Sequence, residues 1–91
     1  MKSYIISFYH QDVSEEELAT YLDTKSEVLN WQTSLPNTIF IVSRRNAKYL
    51  SRLIEKEFPD SLFLVAEYNA QNSDGLLSED MWEFLNNPEE A

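Results

Sequence analysis

His10 and Asp12 come nearest to catalytic chemistry in this chain, an imidazole two residues from a carboxylate. Such a pair could serve as a general base or begin a metal site. It lacks companions. The chain has no Cys, so no thiol nucleophile and no thiolate metal site exists, and one His with one Asp makes an incomplete metal site. Two polar loop residues is the preferred reading. Glu15-Glu16-Glu17 resembles a ligand cluster only in one dimension, because successive helical residues point in different directions. A single glycine, Gly75, excludes a Gly-rich phosphate loop. No metal and no cofactor is expected.

Binding chemistry is better marked. Arg44, Arg45, Lys48, Arg52 and Lys56 are five of the seven basic residues, and only Glu55 opposes them within their window. The rest of the chain holds two basic and fifteen acidic residues, and the net charge is −9. The long-range field therefore repels polyanions. Nucleic acid is expected to meet this protein only locally, through that basic segment, with Arg44 and Arg45 favoured because a helix start also offers free N–H groups. A solvated helix face is the competing reading. Tyr4, Phe8, Tyr9 and Phe40 sit on strands and could imitate a base-stacking platform, but their strands carry almost no Arg, Lys or Gly, so core or dimer packing is preferred. Glu79, Asp80, Glu83, Glu89 and Glu90 could imitate a phosphate backbone or simply face water.

These residues must be held by a small scaffold. Ninety-one residues, 43% apolar and 13% aromatic, make one folded domain. Its body is expected over residues 1–86, with 87–91 a frayed acidic tail. Residues 3–9 read as a first strand. Ser14-Glu15-Glu16-Glu17 is a capping box opening a helix whose stripe is Leu18, Tyr21 and Leu22. Residues 27–33 and 38–43 read as strands joined through the turn Leu35-Pro36-Asn37-Thr38. A second helix, capped by Ser43 or Asn46, runs to about Phe58, where Pro59 ends it. Residues 61–68 read as a fourth strand, and Ser78-Glu79-Asp80 opens a short third helix. The order β-α-β-β-α-β is the α+β, ferredoxin-like arrangement: a four-stranded antiparallel sheet with two helices on one face and an added C-terminal helix.

Three strands, Tyr4–Tyr9, Ile39–Val42 and Leu62–Val65, are apolar on nearly every residue. Near-continuous apolar runs imply burial on both sides. Two helices can roof one face only. The other face needs either a partner or the chain's own Leu77, Met81, Trp82 and Phe84, which are set out as candidate interface anchors. No run approaches the length of a membrane span, and the absence of Cys fits a cytoplasmic protein.

With this layout, the chain resembles small proteins of the SinR family, within a superfamily that also holds VapD-like proteins and the "Cas-two" type CRISPR adaptation subunit. The similarity rests on Met1–Phe8, Trp31, Asn37–Val42, Leu62–Glu67 and Gly75–Leu85. It implies a ferredoxin-like homodimer. In nuclease members an Asp at the end of the first strand is thought to hold a divalent metal at the dimer interface; the matching place here is Tyr9, and Asp12 reaches it only if the loop turns back. The expected function is a non-enzymatic homodimeric interaction module, regulatory or defence-related. The alternatives are a metal-dependent nuclease using Asp12 and His10, and an acidic nucleic-acid mimic that inhibits a nucleic-acid-binding protein.

Overall fold

The computed structural model describes residues 1–91. Strand β1 (Lys2–Phe8) is followed by α1 (Glu15–Asp23), the hairpin β2 (Asn30–Gln32) and β3 (Thr38–Ser43), α2 (Ala47–Glu57), β4 (Phe63–Glu67) and α3 (Glu79–Asn86), with one 3-10 turn at Ala70–Asn72. The four strands form one sheet in the order β2-β3-β1-β4, antiparallel throughout. No helix is long and apolar enough to cross a membrane.

Local chemistry sets the boundaries. The capping box forms as read: the Ser14 hydroxyl accepts from the Glu17 N–H at 3.0 Å, and the Glu17 carboxylate accepts from the Ser14 N–H at 3.3 Å. Asn46 caps α2, whereas Ser43 accepts from the Arg45 N–H one turn earlier. Asn37 adopts φ 57°, a left-handed conformation that asparagine tolerates, and so closes the β2–β3 hairpin after Pro36.

Strand alternation sorts the side chains into two layers. Tyr4, Ile6 and Phe8 of β1 and Ile39 and Ile41 of β3 face α1 and α2, and are buried with Leu18, Leu22, Leu50 and Ile54. Two hydroxyls tie this layer: Tyr21 donates to the Leu53 carbonyl at 2.9 Å and Tyr4 donates to the Arg45 carbonyl at 2.6 Å. On the opposite face Phe40 is buried beneath Met81 and Leu85 of α3, flanked by Ile5, Leu77, Trp82 and Phe84. Ser3 pins α3 from below, its hydroxyl donating to the Leu85 carbonyl at 3.0 Å. No buried side-chain polar atom lacks a partner.

The structure departs from the sequence reading in two places. The second strand is only three residues long, because Lys25–Val28 is a turn closed by the Val28 N–H to the Lys25 carbonyl. The fourth strand is not covered on both faces: Leu62 is 72% exposed and Leu64 64% exposed. An eight-residue helix is only about 12 Å long and 10 Å wide, and strands lie about 4.8 Å apart, so α3 shields β3 and β1 and stops short of β4. Residues 89–91 lie against the entry to β2. The Ala91 N–H donates to the Leu29 carbonyl at 2.9 Å, the Asn30 side-chain amide donates to the Glu89 carbonyl at 3.3 Å, and Glu90 pairs with Arg44 at 2.7 Å.

Packing of α3 on its own sheet makes Leu85 a core residue. Leu85→Ala should cost about 2–5 kcal/mol, read as the shift in a urea unfolding curve; a loss below about 1 kcal/mol would mean that α3 does not seal β3.

Candidate functional site

His10 and Asp12 lie in a tight turn that leaves β1. The Asp12 and Val13 N–H groups both donate to the Tyr9 carbonyl, at 3.0 and 3.3 Å, so the loop does turn back. Its carboxylate is engaged elsewhere: Asp12 accepts from the Leu62 N–H at 2.9 Å and so joins this turn to the start of β4. His10 is exposed and packs edge-on to Tyr9 with ring centroids 5.5 Å apart, while the Tyr9 hydroxyl donates to Gln11 at 2.8 Å. No three His, Asp or Glu side chains converge as a metal-binding group. A phenol, an exposed imidazole and a carboxylate already bonded to backbone do not fit the divalent ion that the resemblance places here.

The basic segment divides in two. Lys48, Arg52 and Lys56 stand exposed on the outer face of α2 without a salt bridge. Arg44 and Arg45 border a notch of about 350 Å³ with Ser26, Glu27 and Leu29. Both are engaged: Arg44 by Glu90, and Arg45 over the Tyr49 ring at 4.6 Å from its centroid. Tyr49 in turn donates to Glu27 at 2.9 Å. An anion entering the notch would meet two acidic side chains as well as the guanidinium groups.

Of the aromatic set, Tyr4, Phe8 and Phe40 are interior and only Tyr9 is exposed, so the sheet presents no stacking platform. Burial, with Glu67 nearby, pushes the Tyr4 hydroxyl pKa up. Glu79, Asp80, Glu83, Glu89 and Glu90 are exposed, and Asp80, Glu83 and Glu89 line a shallow cleft between α3 and β2. Among the proposed interface anchors, Met81 is buried on its own sheet, whereas Leu77, Trp82 and Phe84 are half-buried.

One concavity is mainly apolar. A groove of about 440 Å³ is lined by Ile5 and Phe40 of the sheet, Trp82 and Leu85 of α3 with Leu77 just ahead of it, and Leu35, Tyr68 and Leu76. It is within the size range of pockets that bind small molecules or peptide side chains. Leu76, Leu77 and Trp82 had a sequence signal as members of an apolar C-terminal segment; Leu35 did not, because it sits in a turn, where a lone leucine is unremarkable. Sheet register joins the groove to the bare part of β4: Leu64 is opposite Ser7, Ser7 is opposite Thr38, and Thr38 lines the groove. On this face the positions Ser7 and Tyr9 and the positions Leu62, Leu64, Ala66 and Tyr68 carry no charge.

The notch gives a titration to follow. Glu27 is held below its ordinary value, first by a backbone hydrogen bond, then by the Tyr49 hydroxyl, with weaker attraction from Arg45. A carboxyl whose folded pKa is depressed adds stability that is complete above its unfolded pKa and is lost as pH falls through the folded one. Tyr49→Phe should therefore move Glu27, followed by carboxyl-carbon NMR, toward 4.5 and shrink the stability lost on acidification; an unmoved titration would remove the hydroxyl from the account.

No family model, curated protein or solved structure matches the chain, so the ground for its function is its own residues and their geometry.

Proposed function

We propose that this chain is a ferredoxin-like, homodimeric interaction module without catalytic activity of its own, of the regulatory or defence-related kind suggested by its resemblance to SinR-family and Cas-two-like proteins. The strand order β2-β3-β1-β4, with α1 and α2 packed together against one face, supports that fold. One observation carries the interaction reading: on the second sheet face Leu62 and Leu64 are left exposed among uncharged neighbours, in a chain that is a quarter charged. Exposed contiguous apolar surface of this kind marks a binding surface. The enzyme reading lacks a constellation: Asp12 holds a backbone N–H, His10 faces water, and no other acid or base joins them.

Charge decides how such a module would associate. Two copies at −9 repel each other at long range. Contact through an uncharged face feels that repulsion as a background that salt screens, over a Debye length of about 8–10 Å near physiological ionic strength. Sedimentation at micromolar concentration should give a dimer that tightens as sodium chloride is raised from about 0.05 to 0.5 M. A monomer under all these conditions would overturn the reading. RNA and DNA incubated with Mg²⁺ or Mn²⁺ should remain intact; cleavage abolished by Asp12→Ala would restore the nuclease in its place.

A further inference from the structure

Leu76 is 96% exposed, more than any other large apolar side chain named in this fold, and it stands at the margin of the apolar groove. Its neighbours fix its place. The Gly75 N–H donates to the Asp74 carboxylate at 2.8 Å on one side, and Ser78 caps α3 on the other. The leucine therefore stands in the short connection that leads into α3. Beside it, the groove of about 440 Å³ is lined with Ile5, Phe40, Leu77 and Trp82 and has nothing in it from its own chain. One surface thus bears both a projection and a receptacle of matching chemistry.

We infer that two copies of this chain pair about a twofold axis on this face, each placing its Leu76 in the groove of the other. The inference rests on the reading of the chain as a self-pairing module and adds the surface and the contact that it uses. Three observations favour a second copy as the occupant. A patch that holds projection and receptacle side by side is self-complementary, which is what a closed twofold interface requires. The only charged residue lining the groove is Asp74, already bonded to Gly75, so two strongly acidic molecules meet here with the least repulsion. The tract also extends beyond the groove, through Thr38 and Ser7 to Leu64 and Leu62. An ordinary stable interface takes about 800 Å² from each partner, a modest part of the 5986 Å² that this chain exposes.

The test compares the wild-type chain with Leu76→Asp and Leu76→Met by sedimentation equilibrium, and follows Trp82 emission on dilution in a Trp31→Phe background, where Trp82 is the sole tryptophan. Leu76 is surrounded by water in the monomer, so neither substitution should disturb folding, which circular dichroism checks. The inference expects a wild-type dimer, a dimer constant weakened about a hundredfold or more by Leu76→Asp, little change with Leu76→Met, and a red shift of Trp82 emission as the pair dissociates. A Leu76→Asp protein that dimerises like the wild type would overturn the Leu76 contact and leave self-pairing standing. Oligomers that lengthen with concentration would overturn the closed pair. A wild-type monomer with Trp82 emission unchanged by dilution would overturn both, leaving the groove to a different occupant.

Discussion

Burial of β3 on both faces is the constraint on which this fold depends. Ile39 and Ile41 face one layer, Phe40 and Val42 the other, and all four are essentially removed from water. A single pair of helices cannot achieve that. The chain spends α1 and α2 on one side and must bring its C-terminal segment back across the sheet to supply the other. The Ser3 hydroxyl on the Leu85 carbonyl fixes where that segment lands. Its short length then determines what remains uncovered: a helix of eight residues reaches β1 but not β4. The bare strip and the groove are remainders of the same geometry, since both lie where α3 and its leading loop run out of cover.

Much of this was legible in residue patterns, and what was hidden has a physical reason. The capping box at Ser14, the Pro36-Asn37 turn and the apolar stripe of α2 each encode a local decision, so the elements follow from short stretches of sequence. The two-sided character of β3 was equally plain in Ile39-Phe40-Ile41-Val42. Leu62-Phe63-Leu64-Val65 has the same appearance and a different fate. An apolar run states what a strand can tolerate on each face, whereas the cover it receives depends on the reach of a helix elsewhere in the chain. The groove was hidden for a similar reason: Ile5, Phe40 and Trp82 lie far apart in sequence and meet only through the sheet order.

The polar candidates show how much ordinary structural work charged residues do in a small domain. Asp12 binds the Leu62 N–H just ahead of β4, Glu17 caps α1, Glu27 receives Tyr49 and Glu90 neutralises Arg44. Each use removes a side chain from the pool available for catalysis or for phosphate. Lys48, Arg52 and Lys56 are the cations left open to solvent along α2, and they are too few to reverse a field dominated by carboxylates.

The return of residues 89–91 to the start of β2 has a consequence for aggregation. Sheet margins with unpaired backbone groups invite strangers to add strands, and proteins commonly block them. Here the Ala91 N–H donates to the Leu29 carbonyl just ahead of β2, and the Glu89 carbonyl accepts from the Asn30 side-chain amide, so the chain end lies against the entry to that border. The carboxylates of Glu89 and Glu90 stand exposed beside that entry, where charge disfavours the addition of a strand.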